Sequence, residues 1–442
     1  MDSRLFVRWL PLFGFCAVIV YYFWFVYSHA INIPHWDDIY DFLKIVILTE
    51  SAESTREAMS ELFRQYNDHR TSASRLLIYA IYLAEGELNF HTLTLLGNLA
   101  LPLILLLFFV TVKDEKYRWV FMLVSALLLL NLRYFPLVLH AQATFAYFYV
   151  FFYAFGCLIA LHRVTPPKFV LAVFLGTFAS YTFAAGVIVW MLGLVSLMHQ
   201  HVVTRRISYH YPALWLVVTV ITLALWRTGF SDVSTEKVLT LLPDTLIEAP
   251  LYQQVLRYVS YFFVIMGSAF TDTSTVVAGV IGAAALTVLT AVSIQFYRQE
   301  DIRLALCCWF VVGSVAAVTA GRALWLPPEL ILTSRYTLLS VFLVATLTLL
   351  LQKKIALVKT STIYLLVPLA VIYWVWANHH FQKSIDDVLQ WRYSQYNNDI
   401  YFVLDRPQAE SNDIVARAIS SGIYKPPCKP FPKCKDKSAT GE

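Results

Sequence analysis

Three aspartates fall within five residues in the stretch His35-Trp36-Asp37-Asp38-Ile39-Tyr40-Asp41, a short distance behind a long apolar run. A carboxylate at a helix start is ordinary, because it caps the exposed N–H groups, with a gain of about 0.3–1 kcal/mol. One aspartate is enough for that. On a helix, Asp37 and Asp41 stand four apart and Asp38 and Asp41 three apart, so each pair can share a face. Like charges held that close raise a carboxylate pKa or gather a cation or an acceptor group. Asp37, Asp38 and Asp41 are therefore the candidate catalytic acids, with His35 beside them for substrate.

Three further polar clusters could serve the same chemistry. Arg64-Gln65-Tyr66-Asn67-Asp68-His69-Arg70, with Arg75 following, is the densest polar patch in the chain. Ionisable groups at membrane depth are costly and usually serve a site, which makes Asn67, Asp68, His69 and Arg70 candidates for substrate binding. The bland reading is a solvated turn. Gly321-Arg322 and Ser334-Arg335-Tyr336 flank a Pro327-Pro328-Glu329 loop. Guanidinium is the side chain suited to forked phosphate binding, so Arg322, Arg335 and Tyr336 suit a lipid phosphate. Pairing with Glu329 or with headgroups is the alternative. His140 and Gln142, behind Arg133-Tyr134-Phe135-Pro136, form a weaker patch. Asp232, Glu236, Asp244 and Glu248 read as a solvated face. His199, His201 and His210 have no metal-ligand spacing. No residue is assigned as a metal ligand or cofactor contact, and a divalent cation is left open.

The elements that must position these residues are membrane helices. Of 442 residues, 58% are apolar, 16% aromatic and only 14% charged, and mean hydropathy is +0.61. Soluble globular chains carry roughly 25% charge. The composition excludes a soluble enzyme, a disordered chain and a disulfide scaffold. The net charge of +5 is dispersed over short loops, which argues against nucleic-acid binding. The run Trp9 to Ala30 reads as an uncleaved anchor with a cytoplasmic N-terminus, longer than the roughly 7–15 residues of a signal core. Further spans are expected at Phe90–Val112, Trp119–Leu132, Thr144–Leu161, Phe169–Tyr181, Ala184–Met198, Tyr211–Trp226, Val276–Phe296, Leu304–Ala320, Tyr336–Leu351 and Thr362–Trp376. Phe169–Tyr181 and Ala184–Met198 are short enough to be half-length helices meeting at a bend near Gly186.

Counting basic residues orients the chain. With the N-terminus inside, Lys113, Lys116 and Arg118, then Arg163 and Lys168, Arg205 and Arg206, Arg298 and Arg303, and Lys353, Lys354 and Lys359 all fall inside. The C-terminus falls outside. Ser74–Ala84 and Leu251–Phe270 then lie at the outer surface as juxtamembrane or re-entrant helices. The fold class is thus an all-α polytopic membrane protein of about 11–13 transmembrane helices. Its parts are an anchor (1–30), a first outer loop with the candidate acids (31–89), a transmembrane bundle (90–376) and an outer tail (377–442) that packs as a small cap. Trp36 and Tyr40 suit the headgroup level. Cys428 and Cys434 in the tail are placed for a small-loop disulfide in an oxidising compartment.

An acidic pair directly behind the first span, in a long outer loop with surface helices, resembles the GT-C class of membrane glycosyltransferases. Trp36-Asp37-Asp38 carries the resemblance, with Asn67-Asp68-His69-Arg70, Gly321-Arg322 and Ser334-Arg335-Tyr336 in support. It covers most of the chain as topology and only these segments as motif. Absence of a large soluble domain brings it nearer to transferases of a single sugar, such as those that put arabinofuranose on pseudomonad type IV pilins or glucose on O-antigen. The resemblance implies a polyprenyl-phosphate sugar donor, a periplasmic acceptor protein or glycan, a bacterial inner-membrane location with the active site facing the periplasm, and contact with membrane lipids. An aspartate would act as general base. No Gly-rich phosphate loop or acidic metal motif faces inside, which argues against a cytoplasmic nucleotide-sugar site. An O-antigen polymerase or ligase, or a lipid-linked sugar transporter, is the alternative. The first would place its long loop late in the chain, and the second would show repeat symmetry; neither feature is found.

Overall fold

The structure, a computed structural model, describes residues 3–112, 116–231, 249–297, 301–324, 326–357, 360–403 and 406–432, with backbone alone for 3–8 and 353–364. Among them the regular structure is helical, apart from a single isolated bridge between Tyr66 and His69. Helices satisfy every backbone group internally, which is what a lipid environment demands. Seven are long and apolar enough to cross a membrane: Trp9–His29, Phe90–Thr111, Ala141–Ala160, Ala184–Val203, His210–Arg227, Thr275–Tyr297 and Arg303–Arg322. Arg118–Leu129, Pro166–Ser180 and Thr337–Gln352 are shorter apolar helices. The expected last span opens a continuous helix, Thr360–Asn397, of 38 residues. At 1.5 Å per residue it is about 57 Å long and continues well past an apolar core of roughly 30 Å.

Polar contacts gather at two separate ends. At one, Ala73 N–H donates to the Tyr181 carbonyl, Arg70 to Trp226, and Arg392 to Leu139. At the other, His199 meets the Tyr297 carbonyl, Gln200 donates to Leu161, and Arg303 pairs with Asp301. Segments expected on one side of the membrane thus share one end. Lys113, Arg298 and Lys359, and the 232–248 acidic face, lie outside the described residues.

The Pro166–Ser180 and Ala184–Val203 helices correct the expected bend. A Cβ on Gly176 would lie 3.4 Å from the Trp190 ring, and Trp190 Nε1 donates to Ser180 Oγ at 2.8 Å. Residues fourteen apart meet only if the chain doubles back, so the two form an antiparallel hairpin turning at Tyr181–Phe183. Gly186 is not a hinge. It sits where the returning helix of the hairpin passes the end of the first, and a Cβ there would overlap the Ala179 carbonyl.

Neither Ser72–Glu85 nor Leu251–Gly267 is among the long or the shorter apolar helices, and Leu251–Gly267 packs along Thr275–Tyr297, its Phe263 carbonyl close to Gly282. Arg257 in Leu251–Gly267 donates to the Ala323 carbonyl at 2.8 Å, while the segment behind that helix is held through Ser268 and Thr271 by the buried Arg133. Ser72–Glu85 starts beside Tyr181 and stops at Gly86, in the left-handed conformation (φ 75°) that glycine adopts freely. Directly after it, Leu88 N–H bonds the Ile423 carbonyl of the tail. The tail packs on the segment behind the first helix. Lys44 pairs with Glu410 at 2.9 Å, and Tyr424 donates to the Asn32 carbonyl. Tyr40 is buried under the Gln408–Ser420 helix, its hydroxyl 3.3 Å from Ser411 Oγ. Cys428 is disulfide-bonded; Cys434 lies outside the described residues.

The hairpin gives a paired test. Gly186→Ala forces a carbonyl aside in a packed interior and should cost about 1–3 kcal/mol. Gly279→Ala, in a spanning helix with open space around its Cα, should be neutral or stabilising, since alanine is the better helix former by roughly 1 kcal/mol. Thermal unfolding in detergent reads both; equal midpoints would refute the close approach at Gly186.

Candidate active site

The three aspartates share a short stretch of chain and enter three different surroundings. The stretch is a π-helical turn, Asp38–Leu43, continued by Lys44–Glu50. Asp41 is 0% exposed. Its Oδ1 accepts from Arg75 Nε at 2.7 Å and Thr71 Oγ1 at 2.8 Å, and its Oδ2 from Gln142 Nε2 at 2.9 Å. With its oxygens engaged by a cation, a hydroxyl and an amide, Asp41 is a buried fastening and faces no open site. Arg75 is committed as well, donating also to the Glu61 carbonyl.

Asp38 is also enclosed, at 1% exposed. Its Oδ1 accepts the Gln142 backbone N–H at 2.7 Å and its Oδ2 that of His35 at 2.9 Å. Gln142 is the second residue of the Ala141–Ala160 helix, so Asp38 caps that helix from a distant part of the chain, filling one of its unpaired donors. Burial pushes its carboxyl up to about 7, against the two backbone N–H groups that favour the ionised form. The expected sharing of a face holds for Asp38 and Asp41, joined through Gln142. It fails for Asp37 and Asp41, because Asp37 points elsewhere.

Asp37 is the open one, its side chain 22% exposed. Tyr66 donates to its Oδ1 at 2.6 Å, and Arg335 NH1 stands 4.0 Å from its Oδ2. Around it lies the second and third polar clusters of the sequence. Arg322 stands 3.9 Å from Asp68 and donates to the Tyr336 hydroxyl at 3.1 Å. Arg335 lies over the rings of Tyr147 and Tyr336, both at 5.6 Å. The two guanidiniums hold the Tyr336 hydroxyl below its usual pKa despite burial. His69 packs on Phe183 at 4.0 Å. Burial, aided by both arginines, lowers its pKa to about 3 and keeps it neutral. Its Nδ1 is buried with no protein partner. The Tyr66–His69 turn that presents Asp68 is closed by reciprocal backbone bonds of 2.9 Å, with Asn67 at φ 46°. Asparagine tolerates that left-handed position.

The remaining sequence candidates separate from this cluster. Arg70 donates to the carbonyls of Phe63, Trp226 and Thr228, so it ties the loop to the His210–Arg227 helix. Gln142 serves Asp41. His35 and His140 stand together, rings 5.2 Å apart, on the far side of Asp38, with His140 Nε2 3.6 Å from Asp38 Oδ1. Burial holds both imidazoles well below their usual pKa. Tyr66, which touches Asp37, lies within the polar stretch but is not among its candidate site residues, and Tyr147, which lies under Arg335, carries no sequence signal that separates it from the other tyrosines. Among the described residues no group of three or more His, Cys, Asp or Glu side chains is placed to hold a metal ion.

The chain is an all-helical protein with enough long apolar helices for several membrane crossings. No protein-family model, no curated protein and no solved structure matches it.

Asp41→Asn removes the counter-charge of a buried arginine, a loss of about 3–5 kcal/mol, and should lower the unfolding midpoint sharply. Asp37→Asn, at a half-open position, should leave the midpoint within the scatter of replicate melts. Equal midpoints for both variants would contradict this division of roles.

Proposed function

We propose that the chain is a glycosyltransferase of the GT-C kind, moving one sugar from a polyprenyl-phosphate carrier to an acceptor hydroxyl on the periplasmic side of a bacterial inner membrane. The observation that carries this reading is the Asp37 carboxylate 4.0 Å from Arg335, with Arg322 and Asp68 alongside. It sets a base next to a pair of phosphate-binding groups. Displacement at an anomeric carbon needs both. The acceptor O–H gives its proton to Asp37 as its oxygen bonds to the anomeric carbon. The bond from that carbon to the phosphate oxygen breaks, and its electron pair leaves with the polyprenyl phosphate. Attack opposite the leaving group inverts the centre. General base action contributes about 10²–10⁴-fold. Arg322 and Arg335 offset the charge that grows on the phosphate, often the largest contribution.

In this mechanism Tyr66 fixes one oxygen of Asp37 and leaves the other for the acceptor. Tyr336 orients Arg322. His69 offers its unpartnered Nδ1 to a sugar hydroxyl. Asp38, Asp41, Gln142 and Arg70 position the loop without touching substrate. The acceptor is a glycoprotein such as a pilin, or a surface glycan.

Asp37→Asn keeps size and loses the ability to take a proton. It should insert and melt like the parent yet lose transfer by roughly 10²-fold or more. Arg335→Lys keeps the charge and loses the planar fork, so its defect should show as weaker use of the lipid-phosphate donor. The assay is transfer of labelled sugar from polyprenyl-phosphate carriers to envelope extract at matched protein level. Parental rates for both variants would remove the site.

Orientation has its own test. A reporter fused behind the C-terminal cap should give active alkaline phosphatase and dark green fluorescent protein. The reverse result would put this end of the molecule in the cytoplasm, away from any periplasmic acceptor.

A further inference from the structure

Arg133 is wholly buried in the turn that follows the Arg118–Leu129 helix. Its partners are backbone carbonyls rather than a carboxylate. Nε donates to Ala269 at 3.1 Å. One terminal nitrogen donates to Ser268, to Thr271 at 2.7 Å and to Leu332 at 2.7 Å. The guanidinium lies over the Phe381 ring at 4.9 Å and the Trp376 ring at 5.9 Å. The backbone beneath it is fixed as well. Arg133 N–H donates to Asn131 Oδ1 at 2.9 Å, and Asn131 Nδ2 donates to the Leu127 and Leu128 carbonyls.

A guanidinium is costly to desolvate, and packing alone would be served by an apolar side chain. What it adds is a rigid fork of donors that can hold several carbonyls at once. Ser268 and Ala269 directly follow the Leu251–Gly267 helix. The C-terminal end of a helix carries roughly half a negative charge, which offsets the buried cation. The Leu332 contact reaches a different segment. Leu332 precedes Ser334-Arg335-Tyr336, and Thr337 directly follows it. The Thr337 hydroxyl is shared between the Ser334 carbonyl at 3.0 Å and the Arg133 carbonyl at 3.2 Å. Arg133 thus holds both ends of the stretch that carries Arg335 and Tyr336. Inside it, Tyr336 N–H donates to Ser334 Oγ, which donates to the Ile331 carbonyl.

We infer that Arg133 is a positioning residue for the donor phosphate. It touches no substrate. It sets the place of Arg335 and Tyr336 and, through the Tyr336 hydroxyl, that of Arg322. Arg335 meets Asp37 only at 4.0 Å and lies over the Tyr147 ring at 5.6 Å, so its place depends on the backbone beneath it. A misplacement of about 1 Å can cost on the order of 10²-fold in rate. The clamp on that backbone therefore governs donor use from outside the site. The inference rests on the transferase reading and deepens it.

Native mass spectrometry of the full chain in nanodiscs, titrated with decaprenyl phosphate or with decaprenol, reads the phosphate contact without turnover. The parent should prefer the phosphate. Its affinity should fall roughly tenfold in Arg133→Lys, which keeps the charge and loses the fork. Thr337→Val, of almost the same shape, tests the same stretch should Arg133→Lys fail to fold, and should show a smaller loss. Thr337→Ser keeps the hydroxyl and should restore affinity. Gly193→Ala is the control for stability: a Cβ there would overlap the Trp215 ring beside Leu161, at the other end of the molecule. It should lower the melting midpoint and leave affinity at the parental value. Three results would overturn the inference: parental affinity in folded Arg133→Lys or in Thr337→Val, an equal loss in Gly193→Ala, or a parent that does not distinguish the phosphate from the alcohol. Phosphate binding that responds as stated, in a chain that transfers no sugar, would sink the transferase reading alone. Sugar transfer with one donor KM in the parent and both variants would sink the positioning role alone.

Discussion

The end of this protein that holds the candidate site depends on one buried ion pair. Asp41 and Arg75 meet at 2.7 Å, both essentially sealed from water. Isolated charges of this kind are expensive to bury, and a bare pair can fail to offset its desolvation. Here the carboxylate is also met by Thr71 and by Gln142, and the guanidinium by backbone carbonyls, so the remaining lone pairs and protons are used. The contacts join the turn behind the first span, the loop at Thr71, the Ser72–Glu85 helix and the start of the Ala141–Ala160 helix. Each of these carries or abuts a group of the candidate site. With Asp41 fixed, the turn it belongs to can aim Asp38 inward as a helix cap and Asp37 outward at Arg335.

Much of the fold was legible because lipid imposes a simple rule on sequence. Each apolar run expected to cross, from the anchor to the stretch beginning at Thr362, lies in a helix. Ser74–Ala84 and Leu251–Phe270 could be kept out of the span count by charge alone, since counting them would have reversed the basic loops between them. The hairpin at Tyr181–Phe183 was not legible. Two short apolar runs separated by a few residues look alike whether they bend or fold back, and the deciding contact, Gly176 on Trp190, joins residues that no local pattern links.

The candidate site divides along the same line. Residue type pointed to Asp37, Asp68, His69, Arg322, Arg335 and Tyr336, and these do gather. It pointed equally to Asp38, Asp41, Arg70 and Gln142, and these are spent on structure. Type and spacing cannot separate an aspartate that caps a helix a hundred residues away from one that faces an arginine, because the partner is not in the local sequence. A single π-helical turn decides which is which. Tyr147 was hidden for the opposite reason: in a chain where 16% of residues are aromatic, a tyrosine in an apolar helix has no contrast.

The 38-residue helix runs from an apolar stretch, interrupted by Pro368, to the packed C-terminal segment. Its outer part is held by Arg392, which reaches Ile33 and Leu139, and by Tyr396, whose hydroxyl donates to the Pro427 carbonyl. A rod about 57 Å long turns a 10° change of tilt into roughly 10 Å of travel at its far end, far more than those bonds tolerate. Membrane helices usually answer a change in bilayer thickness by tilting. This one is held near one end by Arg392 and Tyr396, so tilting would have to pivot about that end. A change in bilayer thickness would then be taken up at the opposite end of the helix, where Pro368 interrupts the backbone hydrogen bonding.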